Sequence, residues 1–275
     1  MLIECTFLSY ISNIIHAKGE NQGLMTKTFK FSKKTFLITL FSLLLVACLI
    51  IANYLSLTLI KTNSSAESIS SNEFNLYFLS LSKSKLESEA NSIAADYRKI
   101  GAGGYIWQKD EYYHVVSSAY ANKNDAELVQ NSIKINQNLE SEIFTIKFKS
   151  YTINGSFNGE EKKVIQKALG SCQAYYTSLY DIAISLDTGV YNEISAKLAV
   201  NNASQTLATT YANLNTLYPN TPSSPYNNIS WLNEQAVKLS QKLSSGERIS
   251  EGQTYSSLIK YRYIEILSLL YNFIN

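Results

Sequence analysis

Only three cysteines, three prolines and two histidines occur among the 275 residues, and each scarcity closes a class of explanation. Cys5 and Cys48 lie ahead of or inside an apolar run at 36–60, which leaves Cys172 alone in the remainder, so no intramolecular disulfide can staple that part and its fold must rest on its own core. His16 precedes the run and only His114 follows it, so a paired-histidine metal site cannot form beyond it. No G-x-S-x-G, H-E-x-x-H or Cys–His arrangement is present, and neither a cofactor nor a metal is expected. Charge is sparse as well: 17% of residues are Asp, Glu, Lys or Arg and the net charge is +2, too small to argue for nucleic acid as a partner. What is plentiful is Tyr, Asn, Ser and Ile. Asn63, Asn154, Asn202 and Asn228 stand in N-x-S sequons, which an Asn- and Ser-rich chain produces by chance.

The apolar run itself, FLITLFSLLLVACLIIANYLSLTLI from Phe36 to Ile60, contains no charge. Its length of about 25 residues suffices to cross a bilayer core with some tilt. Lys27, Lys30, Lys33 and Lys34 precede it with no acidic residue between Met25 and Phe36, so the positive-inside bias places the N-terminus (1–35) in the cytoplasm and everything after the run outside. The expectation is a single-pass bacterial membrane protein. Two other readings of the run stay open: Leu45-Val46-Ala47-Cys48 matches a lipobox, with Cys48 as the lipidated residue, and ordinary signal-peptide cleavage is the third. Either Met25 is the true start, or the first residues form a membrane-surface helix with Ile3, Phe7, Ile11, Ile14 and Ile15 at helical spacing.

Beyond a polar linker at 61–72, two segments differ in grammar. Over 73–153 the pattern predicts a strand (74–82), a helix (83–100) stopped by Gly101-Ala102-Gly103-Gly104, strands at 105–108 and 112–118, a helix at 123–135 and a last strand at 143–153. That order, β-α-β-β-α-β, predicts an α+β fold of the split βαβ, ferredoxin-like kind, with both helices on one face of an antiparallel sheet and the other face open to bind something. Residues 154–275 read as four helices, 160–186, 190–217, 229–243 and 251–273, packed as an antiparallel bundle, the last opened by a Ser250-x-x-Gln253 capping box. The loop 218–225 holds all three prolines, Cys172 falls on the apolar stripe of the first bundle helix, and Glu160 and Glu161 are favourable charges at that helix's N-terminus.

The stretch Tyr113-His114-Val115-Val116-Ser117-Ser118-Ala119-Tyr120, running into a polar turn and Ala126, resembles the signature of the SPOR domain, the sporulation-related repeat that binds peptidoglycan. Phe78-Leu79-Ser80-Leu81-Ser82 with Ala90 repeats the pattern more faintly, and the similarity covers about residues 73–153. The chain departs from that family at Ser82 and Ser118, where glycines are usual, at Ser84 in place of an aromatic, at Ser80 in place of Gln and at His114 in place of Arg. The resemblance implies recognition of glycan strands stripped of stem peptides, in cell division, sporulation or wall remodelling. Strand alternation then selects the side chains for the open face: Phe78, Ser80, His114 and Val116, opposite Leu79, Leu81, Val115 and Ser117, which face the helices. On the last strand, Phe144, Ile146 and Phe148 are taken as core and Thr145, Lys147 and Lys149 as outward. Trp107 would be the aromatic platform for a sugar and Lys147 a partner for a glycan or stem-peptide carboxylate.

These readings converge on a non-enzymatic envelope protein that binds peptidoglycan glycan strands through a SPOR-like domain and docks division or wall-synthesis proteins on its helical domain. Two alternatives remain: an extracytoplasmic protein-interaction scaffold without glycan binding, and a wall hydrolase whose acidic residue hides in the helical domain.

Overall fold

The computed structural model describes residues 67–218 and 226–275. The expected membrane run at 36–60, the alternative start at Met25, the lipobox Cys48, linker residues 61–66 and the proline loop at 219–225 lie outside the described residues. Among the described residues, no helix is long and apolar enough to cross a membrane. In chain order the elements are β1 (Glu67–Ser70), β2 (Phe74–Ser84), α1 (Glu87–Lys99), β3 (Tyr105–Lys109), β4 (Tyr112–Tyr120), α2 (Lys123–Gln137), β5 (Glu142–Phe148), β6 (Thr152–Gly155), α3 (Gly159–Asp187), α4 (Glu193–Leu217), α5 (Asn227–Ser244) and α6 (Tyr255–Ile274). This is a mixed α+β architecture: six helices and two antiparallel sheets among the described residues, all within one compact unit, Ser64–Asn275.

The larger sheet has the order β3-β4-β2-β5, every neighbouring pair antiparallel. Its central strands explain the fold. In β4 the seven residues from His114 to Tyr120 are all buried, and in β2 Phe78, Leu79, Ser80 and Leu81 are consecutive buried positions. Since successive side chains point to opposite faces, such runs occur only where both faces of a sheet are covered. One face packs on α1 and α2 through Leu79, Leu81, Ala90, Ala94, Val115 and Ala126. The other carries Leu76, Phe78, Trp107, Val116, Phe144, Ile146 and Phe148, and continues without a break into the bundle through Tyr176, Leu179, Tyr263, Ile264 and Leu267. The expected open face is therefore closed.

Helix α6 does the closing. Its sequence YSSLIKYRYIEILSLLYNFI is apolar nearly all round, the signature of a helix surrounded by protein. It packs on α3 and α5 with one side and on β3 and β4 with the other. Gly103 lets it approach: a Cβ there would lie 2.8 Å from the Ser117 carbonyl oxygen and 3.2 Å from Ile264 Cδ1. Hydrogen bonds pin the joint. Tyr263 Oη pairs with Ser118 Oγ at 2.5 Å, Tyr176 Oη donates to the Ala119 carbonyl at 3.0 Å, and Lys260 Nζ donates to the Gly101 carbonyl at 2.9 Å while also pairing with Asp187, which accepts from Ser256 Oγ.

Three further differences from expectation follow from strand pairing and from helix capping. The stretch 143–153 is two strands, because β5 leaves the large sheet after Phe148 and β6 pairs instead with β1, in the register Glu67↔Gly155 to Ser70↔Thr152. That pairing turns residues 67–70, expected within a linker, into strand. The box expected at Ser250 and Gln253 does not form: Thr254 caps α6 by accepting from Ser257 N, and Gln253, almost fully buried, accepts from Ile249 N and donates to Ser257 Oγ. A capping box stands instead at the start of α3, where Asn158 accepts from Glu160 N and Glu161 N and the Glu161 carboxylate accepts from Asn158 N.

Candidate functional site

The seven residues expected to contact a glycan fall into two groups. Phe78 and Val116 are fully buried, Ser80 is 2% exposed, and His114 and Trp107 are each 5% exposed. The orientation expected for Phe78 and Val116, away from α1 and α2, is the one observed, and the solvent expected there is replaced by α6 and its neighbours; His114 lies on the same side, against Phe144. Trp107 has no free ring face for a sugar: it lies 4.8 Å from Phe78, 6.3 Å from Tyr105 and, edge-on, 5.5 Å from Tyr271. Ser80 Oγ donates to the Ser82 carbonyl at 2.8 Å, across the irregularity where the β2–β4 register shifts between Leu79 and Ser82. His114 meets Phe144 in a tilted ring contact at 4.9 Å and leaves Nδ1 without a partner. Burial pushes its pKa down, with Lys83 and Lys109 adding to this and Glu142 and Asp110 opposing it, which favours the neutral ring.

Thr145 and Lys147 remain exposed, on the other side of β5 from the one expected. The register Phe78↔Phe144 puts Phe144, Ile146 and Phe148 on the face of Phe78 and Trp107, so Thr145, opposite Tyr77, and Lys147, opposite Asn75, point the other way. Taking the β5 phenylalanines as cover for α1 and α2 inverts the strand. Lys147 pairs with Glu73 at 3.1 Å.

One cavity gathers three of the seven. A cleft of about 620 Å³ runs between β3 and β5, the two outer strands of the large sheet, and is lined by Trp107, Gln108, Lys109, Asp110, Thr145, Ile146, Lys147, Lys149, Tyr271 and Asn275. The sheet curls enough that Lys109 Nζ, on β3, stands 5.9 Å above the ring of Phe144, on β5. Three lysines rim the cleft. Lys109 pairs with Asp110 at 2.9 Å and Lys147 with Glu73, while Lys149 has no ionic partner among the described residues. Lys109 and Tyr271 were not singled out by sequence reasoning, because nothing in their local pattern says that β3 and the end of α6 meet β5.

Chemically the cleft offers cationic side chains, the rim of an aromatic cluster and two strand edges; no carboxylate pair faces a nucleophile in it. Among the described residues, no group of three His, Cys, Asp or Glu side chains is placed to hold a metal. Cys172 is fully buried, its thiol pushed up to about 12 by desolvation. No protein-family model, curated protein or solved structure matches the chain.

Proposed function

We propose that this chain is a non-enzymatic scaffold of the bacterial cell envelope, anchored through residues 36–60, in which a SPOR-like α+β segment holds its own helical bundle rather than a glycan strand. The observation that carries the reading is the burial of Phe78, Trp107 and Val116 beneath the bundle, with Ser80 and His114 also buried. The strand order β3-β4-β2-β5 with α1 and α2 on one face is compatible with a split βαβ unit. Ser118, which stands where the SPOR resemblance has glycine, supports the same reading, since its hydroxyl bonds Tyr263 of α6.

A catalytic role is disfavoured by how the reactive groups are spent. Cys172 is a buried thiol, His114 a buried ring packed against Phe144, and Glu161 a helix cap. Cosedimentation of residues 64–275 with peptidoglycan sacculi, before and after an amidase strips the stem peptides, tests the proposal. Pelleting at the level of a non-binding control in both preparations is expected. Saturable binding that rises on stripping would overturn it and restore the glycan reading, and release of soluble fragments from the sacculi would move the assignment to a wall hydrolase.

A further inference from the structure

Helices α3 and α4 lie against each other in the bundle, and between them sits a cavity of about 140 Å³. Its floor is buried: Tyr175, Leu207 and Thr210 are each 3% exposed or less, and Ser171 is 7% exposed. Its rim opens to solvent at Lys167, Ala174, Ser178 and Thr206. The lining is mostly carbon, because the hydroxyls around it are spent on the protein itself. Ser178 donates to the Ala174 carbonyl at 3.1 Å, and Thr206 and Thr210 donate to the carbonyls of Asn202 and Thr206, both at 3.0 Å. Tyr175 Oη pairs with Ser204 Oγ at 2.9 Å, and Ser171 Oγ donates to Asn233 Oδ1 at 2.6 Å. A buried water needs two to four polar partners, whereas an apolar cavity of about 150 Å³ takes up benzene. The floor between α3 and α4 meets the second condition.

One group at the rim is not spent. Lys167 has no ion pair or hydrogen bond among the described residues, whereas the other lysines of these two helices are all paired: Lys162 with Glu67, Lys163 with Glu160 and Lys197 with Glu193. Helix α4, across the cavity, carries no charged residue from Leu198 to Leu217, so no carboxylate on that wall answers the ammonium. Lys167 and Thr206 also line a second hollow beside the first, together with Asn202 and Gln205, whose exposed amides add donors. An apolar floor under a rim of one cation and two amides suits a guest with a ring-sized apolar body and a single negative charge at one end.

We propose that this cavity binds a small monocarboxylate with a phenyl-sized body, the body seated on Tyr175 and Leu207 and the carboxylate at Lys167. The site shares no residue with the cleft between β3 and β5, and the inference does not rest on the scaffold reading.

Titration of residues 64–275 with phenylacetate, followed by amide NMR, tests it. Saturable shifts in the millimolar range are expected, centred on Ala174 and Ala203. The affinity should fall at least threefold in Lys167→Met, as loss of an exposed ion pair implies. It should persist in Lys167→Arg and vanish in Ala203→Leu, which fills the cavity. Phenethylamine, the same body with the opposite charge, should not saturate. Lys167 is exposed, so its variants should keep the wild-type melting temperature; if Ala203→Leu does not fold, the wild-type shift map decides the location alone. The proposal is overturned by no saturation at millimolar phenylacetate, by shifts centred elsewhere, by unchanged affinity in Lys167→Met, or by equal binding of phenethylamine. Sacculus binding bears on the scaffold reading and leaves this result intact.

Discussion

Replacing Tyr263 by Phe should loosen the seam between the sheet and the bundle by a calculable amount. The Tyr263 side chain is fully buried, and its hydroxyl pairs with Ser118 Oγ at 2.5 Å and accepts from Ala119 N at 3.4 Å. The ring would stay in Tyr263→Phe, so little packing is lost. The cost comes from Ser118, whose buried hydroxyl would lose this partner, a penalty of about 1–3 kcal/mol. In a unit of this size each kcal/mol lowers the melting temperature by about 2–4 °C. A drop near 6 °C is therefore expected for the single variant. Ser118→Ala removes the other half of the pair, and Tyr263→Phe/Ser118→Ala should be less destabilised than the sum of the two singles by about 1 kcal/mol or more. Urea unfolding of residues 64–275 measures this, with Trp107 fluorescence in a Trp231→Phe background reporting the seam and far-ultraviolet circular dichroism the helices. The two signals should change in one transition, since the sheet and the bundle share a core. Strict additivity of the two substitutions, or separate transitions for the two signals, would refute the seam as described.

Alkali should attack the same region. Burial holds the phenols of Tyr120, Tyr175 and Tyr255 up at about 12, so their neutral forms are favoured in the fold. The stability they contribute is complete below the unfolded value near 10 and is lost as pH rises through about 12. Absorbance at 295 nm should therefore show a late, cooperative titration coincident with unfolding; ionisation of every tyrosine near pH 10 with the fold intact would contradict it. Gly103→Ala places a methyl against the Ser117 carbonyl and Ile264, and should destabilise by about 1–3 kcal/mol, visible as a lower urea midpoint. Asn158→Ala removes the capping box of α3 and should cost about 1 kcal/mol, read by thermal melting.

The helices were legible because their cues are local. The expected spans 160–186, 190–217 and 229–243 fall within a few residues of α3, α4 and α5, where apolar periodicity and polar caps coincide. The covered sheet face was legible too, in a signal that points the other way from the expectation: a sheet open to water alternates polar with apolar residues, and FNLYFLSLS places Leu76 and Phe78 on one face and Leu79 and Leu81 on the other. The phase of β5 could not be read locally. Ile143, Thr145 and Lys147 alternate with Phe144, Ile146 and Phe148, and the more apolar set belongs to whichever face is more deeply buried. Here that is the bundle's face. The β1–β6 pairing joins residues more than 80 positions apart, and ESIS has nothing in its own composition to announce it.

The β1–β6 ladder also sets how this unit would answer tension. Glu67 pairs with Gly155, so the chain enters β1 and leaves β6 at the same end of two antiparallel strands. A pull between the N-terminal side and α3 therefore loads the rungs one after another, as in a zipper, instead of shearing all of them together. The Lys162–Glu67 ion pair at 2.8 Å sits at the first rung. In a single-molecule pulling experiment β1 should peel at low force and leave the large sheet and bundle folded, which makes these four residues a strain-relief element between the core and whatever holds its leading end.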